Sequence, residues 1–154
     1  MEVTAYSLGQ RFVGLKEAKG PTSNSHVLAM LQLDAGWVTD DSTPWCGAFC
    51  DYIAWLLRLP RSKNLSARSW LTVGTVVPLN EALRGFDVVI LKRGEGDQPG
   101  PEVLKAGGHV GFFSAYEGGG DAGIVWVLGG NQNDQVSLAP FPISRILGIR
   151  RLIL

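Results

Sequence analysis

The chain has 154 residues, 45% of them hydrophobic and 18% charged, the size and composition of one globular domain spanning 1–154 with a substantial core. Its 14 basic and 14 acidic side chains cancel, so no nucleic-acid partner and no electrostatic adhesion to a membrane are expected. No apolar run is long enough for stable membrane insertion, and the first residues, MEVTAYSLGQRF, lack a basic start followed by an apolar core, which predicts synthesis in the cytoplasm without a signal peptide.

From Thr4 to Gly20 the apolar residues are spaced irregularly, with a short helix expected over Lys16 to Lys19, ended by Gly20 and Pro21. Ser23, Asn24 or Ser25 caps a clearer amphipathic helix, His26 to Leu33, in whose first turn His26 faces solvent. The stretch Thr43 to Leu59, TPWCGAFCDYIAWLLRL, is too long and apolar for an ordinary strand and reads as a buried helix. Asp40, Asp41, Ser42 and Thr43 are its candidate caps and Pro44 suits its first position. In this helix only Asp51 and Arg58 ask for solvent or a partner.

Beyond it, Leu65 to Val73 predicts a short helix carrying Arg68 and Trp70, and Asp87 to Leu91 a buried strand. The glycine- and proline-bearing stretch Lys92 to Gly108 predicts a long mobile loop bordering a site. It leads to a strand opening at His109, a glycine-rich hairpin connection over Glu117 to Gly123, and a returning strand, Ile124 to Leu128. Val136 to Leu138 adds a strand, and Ile146 to Leu152, interrupted by Arg150 and Arg151, closes the sheet at an edge where charge is tolerated. Helices first and an antiparallel sheet after them predict an α+β domain with the cysteine-bearing helix packed on the sheet.

Cys46 near a helix N-terminus is placed where unpaired N–H groups and the helix dipole favour a thiolate, whereas Cys50, one turn deeper, belongs in the core. The hairpin brings Asn131, past the end of one strand, towards His109 at the start of the other. A cysteine at a helix start, a histidine on a strand and a polar side chain on the next are the ingredients of cysteine-nucleophile acyl transfer. Zinc is a poor reading, because the cysteine spacing lacks the knuckle turn and a metal would have to bind on a continuous helix. A redox pair is equally poor without Cys-x-x-Cys spacing. No metal and no cofactor are therefore expected.

Trp45-Cys46-Gly47-Ala48-Phe49, Gly108-His109-Val110-Gly111-Phe112 and Leu128-Gly129-Gly130-Asn131-Gln132 together resemble the three blocks of the CHAP and NlpC-type cell-wall peptidases, papain-like enzymes that cut peptidoglycan. The likeness extends to Ala67-Arg68-Ser69-Trp70-Leu71, to the Asp87-Val88-Val89 strand and, more faintly, to Glu17 and Gly20. The resemblance implies a papain-like fold, Cys46 as nucleophile, His109 as base and Asn131 as the residue that orients it. CHAP members often carry an acidic residue two positions before this asparagine; here that place is Gly129, so the third role rests on Asn131 or on its neighbour Gln132.

The implied substrate is peptidoglycan, cut at an amide of the stem peptide or at the lactyl-L-Ala amide, with Trp45, Arg68 and Trp70 walling the groove. A lone catalytic domain of this kind suits a phage lysin or an antibacterial effector, the latter implying delivery machinery and an immunity protein. In either case the protein acts on the cell wall after delivery. Two alternatives stay open: a cysteine protease, deamidase or transglutaminase with a protein substrate, and a catalytically inactive wall-binding homologue.

Overall fold

Thr4 starts the first helix, α1 (Ala5–Gln10), by a reciprocal cap: its hydroxyl accepts from the Ser7 N–H at 3.0 Å and the Ser7 hydroxyl accepts from the Thr4 N–H at 2.9 Å. The computed structural model describes residues 1–18 and 22–153. Lys16 to Ala18 are not helical. Lys16 forms an isolated antiparallel bridge to Gln135, the Glu17 N–H bonds to the Asp134 carbonyl, and the remainder of the helix expected over Lys16 to Lys19, with Gly20 and Pro21, lies outside the described residues. Asn24 caps α2 (Ser25–Gln32) by accepting from the N–H groups of His26 and Val27. His26 is exposed, its ring edge-on to Phe12 at 5.8 Å.

The central helix, α3 (Cys46–Leu56), is shorter than its apolar run suggests. None of Asp40, Asp41, Ser42 or Thr43 caps it; Trp45 occupies that position with no side-chain bond, and Pro44 lies before the helix rather than in it. Asp41 is instead buried as a tie between segments, accepting from the N–H groups of Ala18 and Asn24 at 2.8 and 2.7 Å. At the other end the chain leaves the helix through Arg58 in the left-handed region (φ 56°). Asp51 is buried on α3 and accepts from the Lys63 N–H at 3.1 Å. Burial, only partly offset by that bond and by Arg61, pushes its carboxyl up to about 6.

A six-stranded antiparallel sheet runs in the order β1-β6-β2-β3-β4-β5, with β1 (Thr75–Val76), β2 (Asp87–Lys92), β3 (Gly108–Glu117), β4 (Ile124–Gln132), β5 (Gln135–Pro142) and β6 (Ile146–Arg151). This bears out the α+β architecture. On one face Val88, Ile90, Val110, Phe112 and Leu128 pack with Phe49 and Ile53 of α3 and with α1 and α2. On the other, Val89, Leu91, Phe113, Val125, Val127 and Ile149 form a second, smaller cluster. The strand expected over Val136 to Leu138 lies in the first half of the longer β5.

Strand β6 differs from its expected place, because it lies between β2 and the two-residue β1 rather than at the free edge. Its arginines are tolerated there because they are paired. Arg151 makes two 2.8 Å bonds to the Asp87 carboxylate, and Arg150 reaches the carbonyls of Val73 and Gly74.

Arg68 lies on a 3-10 turn, Ala67–Thr72, and is fully buried. It donates to the carbonyls of Pro99, Gly100, Val103 and Gly107 at 2.7 to 2.9 Å. Four carbonyls of the stretch Lys92 to Gly108 are thus fastened to one guanidinium, which corrects its reading as a loop free to move along its length. Its first residues do border the candidate site described next.

Candidate active site

Cys46 is the first residue of α3 and His109 the second of β3. Sheet alternation sets His109 on the face of Gly111 and Phe113, away from the body of α3. The two residues nevertheless interact, because the helix begins at the end of the sheet where β3 and β4 part. The β3–β4 ladder runs from Glu117↔Ile124 to Phe112↔Leu128 and goes no further, and Val110, beyond it, is close enough for its N–H to favour the Cys46 thiolate. Gly130 lets the helix start come this close: a Cβ there would lie 2.7 Å from the Cβ of Phe49 and 2.8 Å from the Trp45 ring.

Burial alone would raise the Cys46 thiol. Hydrogen bonding with His109, the positive charge of that ring, the Val110 N–H and the charge of Arg93 outweigh it, and the thiol falls below the ordinary cysteine range. Burial would likewise depress His109, but its coupling to Cys46 and its bond to Gln132 raise it above the ordinary histidine range. Both shifts favour a thiolate–imidazolium pair. Cys50, fully buried, is driven the other way by burial and by the neighbouring Cys46 and Asp51 charges.

The residue that holds the imidazole is Gln132, not Asn131. The Gln132 Oε1 and His109 Nε2 atoms lie 2.9 Å apart. The tautomer follows from the rest of the Gln132 amide, whose Nε2 donates to the Ser137 carbonyl at 2.7 Å and the Val127 carbonyl at 3.2 Å. Its oxygen therefore faces the ring and accepts from the His109 Nε2–H, leaving Nδ1 for the sulfur.

Simple alternation along β4 would have sent Asn131 to His109, since Val127, Gly129 and Asn131 are two apart. A bulge changes the parity. Between the pairs Gly129↔Ser137 and Gln132↔Gln135, two residues of β4 face one of β5, and Asn131 takes a left-handed φ of 56°. Asn131 then lines a cavity and Gln132 turns inward. The absence of a side chain at Gly129 is part of the same arrangement: a Cβ there would collide with the Gln132 Oε1 and lie 3.2 Å from the His109 Nε2. An acidic residue at this place, as in many CHAP sequences, and Gln132 in its present pose would compete for one space.

None of the three residues expected to wall a groove has accessible surface. Trp45 and Trp70, like Arg68, are 0% exposed. Trp45 donates from Nε1 to the Glu17 carboxylate at 2.8 Å and packs on Gly130. These side chains hold the site's frame, and an open groove is found elsewhere. A cavity of about 530 Å³ is lined by His109, Asn131 and Gln132 together with Arg93, Phe141 and Arg145 among others. The Phe141 ring lies 5.2 Å from that of His109. Cys46 is 3% exposed and is not one of the cavity's walls, whereas His109, at 8%, is.

Sequence reasoning missed the basic wall of this cavity because Lys92 and Arg93 come from one segment and Arg145 from another, and only the fold brings them together. Among the described residues no group of three or more His, Cys, Asp or Glu side chains is placed to hold a metal ion. Compared with known proteins, the chain matches no protein-family model and no curated sequence.

Proposed function

We propose that the protein is a cysteine amidase that hydrolyses an amide bond of peptidoglycan, and that the fold around its site is papain-like. The observation that carries the chemistry is the coupled Cys46–His109 pair, with the ring held by Gln132. The substrate class is drawn from the likeness of the three motif blocks to the CHAP and NlpC-type peptidases.

In this reading the Cys46 thiolate attacks the amide carbon and a tetrahedral oxyanion forms. The start of α3 carries no side-chain cap, so its first backbone N–H groups are left for that oxyanion, a contribution of about 3 kcal/mol per donor in comparable enzymes. The His109 imidazolium gives its proton to the leaving amine, the C–N bond breaks and a thioester remains on Cys46. Water then attacks the thioester and gives a proton to the now neutral His109. Collapse releases the carboxylic acid and restores the thiolate–imidazolium pair. Throughout, the bond from Nε2–H to Gln132 keeps Nδ1 pointed at the reacting atoms.

The site of action is the cell wall, reached after delivery. Among the described residues no helix is long and apolar enough to cross a membrane. A glycosidase mechanism is disfavoured, because cleaving a sugar bond usually takes a pair of carboxylic groups flanking it and none of the three motif blocks supplies one.

The test is digestion of purified peptidoglycan. Soluble peptide-bearing fragments and new amino groups are expected, without new reducing sugar ends. New reducing ends without new amines would overturn the amidase reading, and an untouched sacculus across several wall chemistries would overturn the substrate.

A further inference from the structure

The cavity beside His109 is electrostatically one-sided. Lys92, Arg93 and Arg145 line it and no carboxylate does, although the chain as a whole carries equal numbers of acids and bases. Asn131, Asn133, Gln135 and Ser137 add neutral hydrogen-bonding groups.

The three cations are not equivalent. Arg145 is committed to the loop, donating from Nε to the Lys92 carbonyl at 3.2 Å and from its terminal nitrogen to the Gly94 carbonyl. Arg93 is exposed, and among the described residues it has no ion-pair partner. Arg93 and His109 line the same cavity, so the guanidinium and the imidazole open onto one space.

We propose that this cavity is a subsite for a carboxylate on the substrate close to the scissile amide, with Arg93 as the specificity-determining contact and Lys92 and Arg145 supplying the surrounding positive potential. A planar guanidinium with no ion-pair partner among the described residues matches a carboxylate in two parallel hydrogen bonds, a geometry an ammonium cannot reproduce. The same wall repels an amine or other cation placed there, so discrimination works in both directions. The chemical class of the ligand is therefore an acidic peptide whose carboxylate is free rather than amidated. The subsite deepens the amidase reading and rests on it for the identity of the bond that is cut.

The experiment separates the two. The 154-residue chain carrying Cys46→Ala is titrated with a synthetic peptidoglycan stem tetrapeptide with free carboxylates and with the same peptide fully amidated, with and without Arg93→Gln. The free acid is expected to bind about tenfold or more tighter than the amide, and Arg93→Gln to bring the ratio near one by weakening only the acid. In parallel, the wild-type chain is assayed for cleavage of both peptides, where the preference should appear in KM and leave kcat little changed.

Preference in binding without cleavage upholds the subsite and removes the amidase reading. Cleavage with equal binding of acid and amide, or a preference that survives Arg93→Gln, overturns the subsite and keeps the amidase. Arg93→Lys provides the control for charge alone: the proposal expects it to recover part of the preference but not all. Absence of both binding and cleavage overturns both.

Discussion

Replacing Cys46 by alanine is expected to lower hydrolysis by about 10³-fold or more while leaving the melting temperature close to that of the native chain. The size of the effect follows from the chemistry: without the sulfur there is no covalent intermediate, and His109 has no thiol to deprotonate. The small structural effect follows from size and position, since the change removes one sulfur atom at the first residue of α3, where the helix starts. Cys50→Ala separates the two cysteines. That thiol is fully buried and kept protonated, so the substitution should leave activity intact and reduce stability by about 1 kcal/mol, as other small core truncations do. Activity assays and thermal melts on the two variants decide this, and equal rates for Cys46→Ala and wild type would remove Cys46 from the mechanism.

The largest expected stability effect lies outside the reacting pair, at Arg68. Its guanidinium is fully buried and satisfies the carbonyls of Pro99, Gly100, Val103 and Gly107. Arg68→Ala strands these acceptors and leaves a void beside Gly108, whose position a Cβ would bring within 3.0 Å of the Arg68 stem. An unsatisfied buried acceptor costs about 1–3 kcal/mol, and water can reach part of the freed loop, so a net loss of about 3–4 kcal/mol is expected. For a domain of this size that lowers the melting temperature by roughly 10 °C. Arg68→Lys, with one ammonium for four carbonyls in a fixed fork, should recover only a minor part. A melt within a degree or two of the native value would mean that the loop does not depend on this anchor.

Much of the framework was legible because period and punctuation agreed. Asn24 before an amphipathic run marked the start of α2, and the glycines between Glu117 and Gly123 marked the turn between β3 and β4. Helix α1 was not, because its reciprocal cap uses Ser7 where the usual signal is a glutamate or glutamine, and its six residues span too few turns to show a stripe. The start of α3 was placed too early because Asp41 looks like a cap in sequence but spends its oxygen on two distant N–H groups.

The site was legible to the extent that its residues sit at element ends. Cys46 and His109 mark a helix start and a strand start, and both interact in the structure. The third partner was read as Asn131, past a strand end, with its neighbour Gln132 left open; a bulge in β4 turns Gln132 rather than Asn131 to the ring. A signal was present in Asn131-Gln132-Asn133-Asp134. Asparagine and aspartate tolerate the left-handed region, and Asn131, Asn133 and Asp134 all adopt it, the last two forming the two-residue turn into β5. The burial of Trp45, Arg68 and Trp70 had no such signal, since an arginine is ordinarily a surface residue and only tertiary contacts reveal what it holds.

A thiolate–imidazolium pair of Cys46 and His109 sets how the rate of Cys46 alkylation by iodoacetamide, read by peptide mass mapping, depends on pH. Alkylation follows the thiolate. With the Cys46 thiol below its ordinary range and His109 above its own, the pair exists between the two steps: it is lost on the acid side as Cys46 takes up a proton and on the alkaline side as His109 releases one. In the native chain labelling should therefore already be fast at neutral pH, with its inflection below that of a free thiol, about 8.5. In His109→Ala the two largest influences opposing burial are gone, only the Val110 N–H and the Arg93 charge remain, and the inflection should move upward. An inflection at or above the free-thiol value in the native chain, unmoved by His109→Ala, would contradict the pair and with it the mechanism.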